Sequence, residues 1–221
     1  MRRLLFRRSE GPEGPAPAEE RKPLRILAVS DLESKFIWEH FDPEFFKGVD
    51  LILSCGDLKA SYLSYLVTMI PAPLFYVYGN HDGAYDRDPP HGCECIDGRV
   101  VEYRGLRIAG LGGCMGSDPS NRYQFSEAQM EKRVKRLQAD LRRGKKLDIL
   151  VTHAPAAGVG DTKAFHQGFQ CFHQIYRDNE PTLHLFGHLH RENHHGDARQ
   201  GVFQTGATKS VNCTGYRLLD V

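Results

Sequence analysis

The chain has 221 residues, of which 40% are hydrophobic and 26% are charged, and its formal net charge is +1. This length fits one domain with a substantial core, since single domains usually hold roughly 50–250 residues. The near-neutral charge argues against a protein that lives on extended nucleic acid, which needs clustered Lys and Arg, and no run approaches the ~18 apolar residues of a membrane span.

Residues 1–23 are predicted to form a flexible tail ahead of a single domain at 24–221. The tail is rich in Gly, Pro, Ala and Glu and has too few apolar residues to order itself. Its apolar core is too short for a secretory signal. The six cysteines lack the paired spacing of a structural zinc site. We therefore expect reduced thiols in a cytoplasmic protein.

Short apolar runs then alternate with amphipathic stretches. In the first half of the chain the pattern predicts a strand at 24–30, an interrupted helical stretch at 34–47, a strand at 50–55, a helix at 59–70, a strand at 74–78 and a loop at 83–97. A hairpin of strands at 99–103 and 106–111 follows, then a loop at 112–120 and a helix at 127–143 with a capping box at Ser126 and Gln129. The rest of the chain is predicted to form a strand at 147–152, a loop at 154–162, a helix at 169–177, a strand at 183–186 and short strands from 192 onwards.

This order of elements predicts an α/β (α+β) fold. Helices and strands alternate first and consecutive strands come last. Such a pattern implies a mixed sheet, or two facing sheets, with helices packed outside.

Five polar clusters share one placement, where an apolar strand gives way to a turn. They are Asp31-Leu32-Glu33, Gly56-Asp57, Gly79-Asn80-His81-Asp82, Thr152-His153-Ala154-Pro155 and Gly187-His188-Leu189-His190. One Gly-Asp or one His would mean little. Because sites in open α/β sheets collect outside the carboxyl ends of strands, the five together predict a metal site at one edge. Mixed oxygen and nitrogen ligands suit Mn²⁺, Fe or Zn²⁺ better than Ca²⁺.

In this order the clusters resemble the motifs of the calcineurin-like metallophosphoesterases: Asp-x-His, Gly-Asp, Gly-Asn-His-(Asp/Glu), a His after a strand, and Gly-His-x-His. The resemblance spans residues 26–190. It implies a sandwich of two mixed β-sheets flanked by helices, which agrees with the order of elements. It also implies a metal-dependent hydrolase of phosphoesters.

The resemblance further implies two adjacent divalent metal ions, Mn²⁺ or Fe with Zn²⁺ as a further option. Asp57 would bridge both, since two close cations need shared negative charge between them. The first metal would also take Asp31, His190 and position 33. The second would take Asn80, His153 and His188.

The same resemblance assigns the catalytic groups. A bridging hydroxide would attack phosphorus, and His81 would protonate the leaving oxygen, a role suited to a side chain that titrates near neutral pH. Asp82 would orient His81, although a plain turn residue before Gly83 explains it equally well.

Glu33 is the one departure among the ligand positions, because the family usually has His there. Glutamate is also a metal ligand and would favour Mn²⁺ or Fe. Alternatively Glu33 swings away and the first metal is held loosely.

A second departure concerns the substrate. The phosphoprotein phosphatases of this superfamily follow Gly-Asp with Asp-Arg, whereas Leu58-Lys59 stands here. The chain therefore resembles the small bacterial-type phosphodiesterases more closely. Lys59, Arg122 and His166 are candidate substrate contacts, and each is also explained by a plain surface or helix-start role.

The function that these patterns favour is hydrolysis of small or nucleotide-like phosphodiesters, phosphomonoesters or both. The alternative is a non-catalytic scaffold of the same fold. Scaffold members lose ligands, whereas here every position except 33 is filled as catalysis requires. We expect a small phosphoester as the partner, and neither extended nucleic acid nor a membrane.

Overall fold

The computed structural model describes residues 22–144, 146–161, 166–189 and 201–221. The predicted tail lies outside the described residues except for Lys22 and Pro23. The same holds for residues 190–200, which include His190 and the start of the predicted C-terminal strands.

The described residues form strands, four α-helices and one 3₁₀ helix. The strands are β1 Arg25–Ser30, β2 Val49–Ser54, β3 Leu74–Tyr76, β4 Cys93–Cys95, β5 Val100–Tyr103, β6 Leu106–Leu111, β7 Cys114–Met115, β8 Gln124–Phe125, β9 Ile149–Thr152, β10 Leu183–Phe186, β11 Val202–Thr205, β12 Thr208–Asn212 and β13 Gly215–Asp220. The helices are α1 Lys35–Trp38, α2 Ala60–Met69, α3 Glu127–Leu141 and α4 Phe172–Asn179, and the 3₁₀ helix is Asp82–Asp86.

Two mixed sheets form the centre of the fold, as predicted. The first has the order β13-β1-β2-β3-β4, in which β1 to β4 are parallel and β13 is antiparallel to β1. The second has the order β11-β12-β10-β9-β6-β5, with four parallel central strands and antiparallel edges. Strands β7 and β8 form a small separate pair.

The strand sequences are apolar on both faces because both faces are buried. In β1, Ile26 and Ala28 face a core that also contains Ile149 and Leu185 of the other sheet, so this core lies between the sheets. Leu27 points to the opposite face of the sheet, where it belongs to a cluster with Leu63 and Leu66 of α2. A shift of one residue in register would exchange these faces, which fixes the strand alignment.

Helices cover the two outer faces. On one side α2 buries Tyr62, Leu63 and Leu66. On the other side α3 buries apolar residues at helical spacing, namely Met130, Val134, Leu137 and Leu141. The capping box at the start of α3 is confirmed. No helix among the described residues is long and apolar enough to cross a membrane.

Three predictions of local structure were wrong, one of them the loop at 112–120, which contains strand β7. Only Lys35–Trp38 of the stretch 34–47 is helical, because its aromatic side chains pack on one another through turns; Phe41 and Phe46, for example, stack at 5.2 Å between ring centroids. The predicted loop 83–97 contains the 3₁₀ helix and strand β4, which pairs with β3 through Leu74 opposite Cys93.

A buried polar network lies beneath the second sheet. The hydroxyl of Thr152 donates to the Ala154 carbonyl at 2.5 Å, so His184 Nε2 donates to the Thr152 oxygen at 2.7 Å. His184 Nδ1 then accepts from the Tyr176 hydroxyl at 2.6 Å, and that hydroxyl lies 3.0 Å from Ser210 Oγ. Each of these hydrogen bonds can form while the His184 imidazole is neutral. Burial lowers the pKa of His184 to about 3.

His184 is predicted to make the free energy of unfolding fall as the pH is lowered. Its folded pKa lies below the ordinary value of 6.5, so between pH 6.5 and 3 the unfolded chain takes up a proton that the folded chain refuses. The contribution to the slope is on the order of 1 kcal/mol per pH unit. Urea unfolding of metal-free protein between pH 7 and 5 measures it.

The matched variant is His184→Gln, which can hydrogen-bond but does not titrate in this range. Its stability should depend less steeply on pH than that of the wild type. Equal slopes would show that His184 is not the group responsible.

Candidate metal centre

Three predicted metal ligands have left-handed backbone conformations at strand ends. The φ values of Asp31, Asp57 and His188 are 61°, 57° and 65°. Such a conformation costs a non-glycine residue on the order of 1–3 kcal/mol and persists only where the surroundings enforce it. The three follow β1, β2 and β10, at the edge where the carboxyl ends of both sheets meet.

Glycines allow two of the strand-end turns to touch. A Cβ atom at Gly56 would lie 2.3 Å from the Gly79 nitrogen, and one at Gly79 would lie 2.0 Å from Asp57 Oδ1. Neither position has space for a side chain. The two Gly residues of these motifs therefore bring Asp57 and Asn80 onto one surface.

Asp57 directs a buried carboxylate oxygen toward this edge. Its Oδ1 accepts from the His81 backbone N–H at 2.7 Å. Its buried Oδ2 has no hydrogen-bond partner among the described residues and lies 3.3 Å from His153 Nε2. Burial alone would raise the pKa of Asp57, but the pairing with His153 and the N–H of His81 hold it below its ordinary value. Asp57 therefore presents a charged oxygen to the site.

His153 presents a nitrogen to the same place. Its Nδ1 lies 2.8 Å from the Cys55 carbonyl, which can only accept, so Nδ1 carries a proton. The other nitrogen, Nε2, lies 3.0 Å from Asn80 Oδ1 as well as near Asp57 Oδ2. Burial favours the neutral ring, yet Asp57 outweighs this and raises the pKa of His153 to about 9.

These contacts fit a cation. The oxygens of Asp57 and Asn80 are acceptors, and a neutral His153 adds a third lone pair. A His whose other nitrogen donates to a backbone carbonyl is the usual arrangement of a metal ligand. Ligand atoms of His188 also lie within 4.8 Å of those of Asp57 and His153. The predicted ligands of the second metal are thus brought together.

Asp31 lies beside this group and joins the two sheets. Its carboxylate accepts from the His188 backbone N–H at 2.9 Å and from the Thr214 hydroxyl at 3.4 Å. A Cβ atom at Gly187 would lie 2.4 Å from Asp31 Oδ2, so this turn also requires glycine. Its assignment as a ligand of the first metal stays a prediction.

The remaining predicted ligands of the first metal are not assembled in the described part of the chain. Glu33 is mostly buried, and its Oε1 lies 3.5 Å from the Lys59 ammonium. His190 lies outside the described residues. The assignment of Glu33 as a ligand therefore stays a prediction.

His81 and Asp82, the predicted catalytic pair, have different surroundings. The His81 side chain is 76% exposed, and its Nε2 lies 4.0 Å from Asp57 Oδ2. Asp82 is buried, and its Oδ2 accepts from the backbone N–H groups of Gly79 at 2.7 Å and Asp57 at 2.9 Å. Burial raises the pKa of Asp82 to about 6. Asp82 thus ties the Gly56-Asp57 turn to the Gly79-Asn80 turn, a role that we call a brace. The contacts favour this role over the predicted orienting of His81.

The three candidate substrate contacts all lie beside the site. Lys59 pairs with Glu33, as above. Arg122 donates to Asp86 Oδ2 at 2.7 Å. The ring of His166 lies 4.8 Å from that of His188 between centroids. Their roles toward a substrate stay predictions.

Two supporting residues were missed by the sequence analysis. Asn121 donates from its amide to the Asn80 carbonyl at 2.8 Å, and Thr214 contacts Asp31. Thr214 follows β12, so the strand-end rule used for the other clusters would have found it. No comparable signal marks Asn121.

Comparisons with known proteins bear on the family and the fold. A family model described as Calcineurin-like phosphoesterase matches residues 24–192. Among curated proteins, none matches the sequence. The solved structure of TT1561 from Thermus thermophilus is 20% identical, with a TM-score of 0.63 over 90% of this chain and 94% of that one. GAP50, described as the anchor in the inner membrane complex of Plasmodium, is 17% identical, with a TM-score of 0.53 over 87% and 72%. At these identities the two structures show the shared fold.

The brace formed by Asp82 yields a prediction. Asp82→Ala leaves the buried N–H groups of Gly79 and Asp57 without an acceptor, at roughly 1–3 kcal/mol each. We expect lower stability and a loss of Mn²⁺ affinity of about 10–100-fold, as for other residues that support ligands. Asp82→Asn keeps an acceptor oxygen and should lose less of both.

Urea unfolding of chelator-treated protein and calorimetric titration with Mn²⁺ measure the two effects. The matched control is Asp140→Ala, which removes an exposed aspartate of α3 whose carboxylate pairs with Arg143. If Asp82→Ala and Asp140→Ala behave alike, Asp82 is not a brace.

Proposed function

Because the chain belongs to the calcineurin-like phosphoesterase family, we propose that it is an enzyme that hydrolyses small or nucleotide-like phosphoesters with two divalent metal ions. The observation that carries this proposal is the convergence of Asp57 Oδ2, Asn80 Oδ1 and His153 Nε2 beside the exposed imidazole of His81. With His153 neutral, an oxygen of Asp57, an oxygen of Asn80 and a ring nitrogen of His153 offer lone pairs to one place, and the His81 imidazole lies at the surface next to them.

The proposal assigns ligands to both ions. Asp57 would be shared. Asn80, His153 and His188 would hold one ion, and Asp31, Glu33 and His190 would hold the other. When bound, such ions polarise the phosphoryl group and lower the pKa of water. The oxygen-rich set around Asp31 favours Mn²⁺ or Fe, with Zn²⁺ as a further option.

The side chains of the chain have distinct tasks. Asp57 Oδ1 accepts a hydrogen bond from the His81 backbone N–H, which fixes the backbone position from which the imidazole extends. His81 then delivers a proton from its ring to the departing oxygen. Its exposure leaves the ring free to reach a substrate at the surface. The buried residues beneath it keep bulk water from the ligand oxygens.

A non-catalytic scaffold is the alternative within the same fold. It predicts that the described ligand positions have lost their chemistry. Here Asp57, Asn80, His153 and His188 are present and converge, which supports the enzyme. A cytoplasmic location remains part of the proposal and rests on the sequence.

His81→Ala is predicted to lower turnover by about 10²–10⁴-fold, the usual effect of a lost general acid. Metal content should stay intact. The loss should be smaller for nitrophenyl esters, whose leaving group needs no proton, than for alkyl esters. Steady-state rates of Mn²⁺-loaded protein on both ester types, with metal analysis of the same samples, provide the test.

His40→Ala is the control, since His40 is exposed and lies outside the site. It should match the wild type. An equal loss on both ester types in His81→Ala would falsify the acid role. Absence of hydrolysis in metal-loaded wild type would favour the scaffold.

Glu33 provides a further prediction, because its Oε1 lies 3.5 Å from the Lys59 ammonium. If Glu33 is a ligand, Glu33→Ala should release one metal and leave the ion of Asn80, His153 and His188 in place. Glu33→His should restore binding and shift preference toward Zn²⁺, which favours imidazole. Titration with Mn²⁺ and with Zn²⁺, followed by activity, measures both.

Glu39→Ala, an exposed glutamate in the same segment, is the control. Unchanged stoichiometry and metal ranking in both Glu33 variants would show that Glu33 is only the partner of Lys59.

A further inference from the structure

His188 lies at the centre of a tight three-residue turn. The Leu189 N–H donates to the Gly187 carbonyl at 2.7 Å across it, and the φ of His188 is 65°. A γ-turn with positive φ is rare and strained. A residue with a side chain keeps such a conformation only where its surroundings enforce it. The segment that leaves this turn is therefore expected to be held by another part of the chain.

Asn212 supplies a contact that holds this segment. The residue is only 2% exposed, and its Nδ2 donates to the Leu189 carbonyl at 3.1 Å. The Thr214 backbone N–H, which can only donate, lies 3.0 Å from Asn212 Oδ1. The amide group is therefore fixed with its oxygen toward Thr214 and its N–H toward Leu189.

The fold brings Asn212 to the turn from a distant part of the sequence. Strand β12, which ends at Asn212, runs parallel to β10, and Asn212 lies opposite Phe186, the last residue of β10. Both strands therefore end at the same edge, where His188 comes shortly after one and Thr214 shortly after the other. The Thr214 hydroxyl lies 3.2 Å from the Leu189 carbonyl, as its second polar neighbour.

A local turn alone does not explain Asn212. The contact of Oδ1 with the N–H two residues later is a common turn of Asn and Asp, and it needs only an acceptor. The contact with Leu189 joins residues 23 positions apart and needs a donor, because a carbonyl only accepts. Asn provides both groups, whereas an ionised Asp provides acceptors alone. This difference separates the two roles.

We propose that Asn212 is a positioning residue of the metal centre, which holds the Leu189 carbonyl and thereby keeps the strained turn that directs His188 to a metal ion. The inference rests on the part of the proposed function that makes His188 a ligand. Ligand atoms of His188 lie within 4.8 Å of those of Asp57 and His153. Release of the turn therefore moves one of three converging ligands away from its partners.

Asn212→Asp tests the proposal. The carboxylate keeps an oxygen for the Thr214 N–H but turns a second oxygen, instead of an N–H, toward the Leu189 carbonyl. At about pH 8, well above the ordinary pKa of a carboxyl group, two acceptors then face each other. We expect Mn²⁺ affinity to fall by about 10–100-fold, as for other residues that support ligands, although the added negative charge alone would strengthen binding. Calorimetric titration measures the affinity, and the absorption spectrum of Co²⁺-loaded protein reports the changed ligand geometry.

Ser210→Ala is the matched control, because Ser210 lies on the same strand, is also buried, and contacts the Tyr176 hydroxyl at 3.0 Å. Its Mn²⁺ affinity and Co²⁺ spectrum should match those of wild type. Thr214→Val keeps the side-chain shape and removes the second polar neighbour of the Leu189 carbonyl. It should lower the affinity by roughly threefold, in keeping with one neutral hydrogen bond. This variant replaces Asn212→Asp if circular dichroism shows the latter to be unfolded.

An Asn212→Asp variant with the Mn²⁺ affinity and Co²⁺ spectrum of wild type would show that Asn212 is only a turn residue. An equal loss of affinity in Ser210→Ala would show a general effect of lost stability, and either result overturns the inference. A wild type that binds Mn²⁺ but cleaves no phosphoester would overturn the proposed function alone. One that binds no Mn²⁺ would overturn both.

Discussion

The site depends on a shortage of donors where three acceptors meet. Asp57 Oδ2, Asn80 Oδ1 and His153 Nε2 approach one another in the interior, and the proton on His153 Nδ1 is committed to the Cys55 carbonyl. The charge of Asp57 favours a proton on His153 Nε2, which accounts for the raised pKa of His153. A buried arrangement of this kind is unfavourable for an empty protein and favourable for one that binds metal, so stability is exchanged for affinity.

The rest of the fold holds these acceptors in place. Parallel strands in both sheets end at one edge, which delivers Asp57 from one sheet and His153 and His188 from the other. Three left-handed residues store strain there, and the buried apolar faces that fix strand register balance it. The brace through Asp82 and the contact of Asp31 with the His188 backbone then join the turns across the sheets.

The sequence predicted those features that depend on local pattern. Strand ends, turn glycines and the cap of α3 follow from neighbouring residues, so the sandwich and the positions of Asp57 and His153 were accessible. Contacts between distant segments were not. Asn121 reaches Asn80 across 41 positions, and no periodicity encodes such a meeting. The helical prediction for 34–47 was wrong for the opposite reason. Its aromatic side chains pack on one another in turns, and this packing outweighs their helical spacing.

The two departures from the family pattern, Glu33 and Lys59, contact each other in the structure. Taken singly, Glu33 adds a negative charge beside the predicted metal ligands, and Lys59 stands where the related protein phosphatases have an arginine. Together their opposite charges offset each other, so the pair adds no net charge beside the predicted metal ligands. Lys59 is largely exposed, so its attraction to Glu33 is screened and a metal ion can displace it. Under the proposed function, a Glu33 that turns to the metal would release Lys59 toward the substrate.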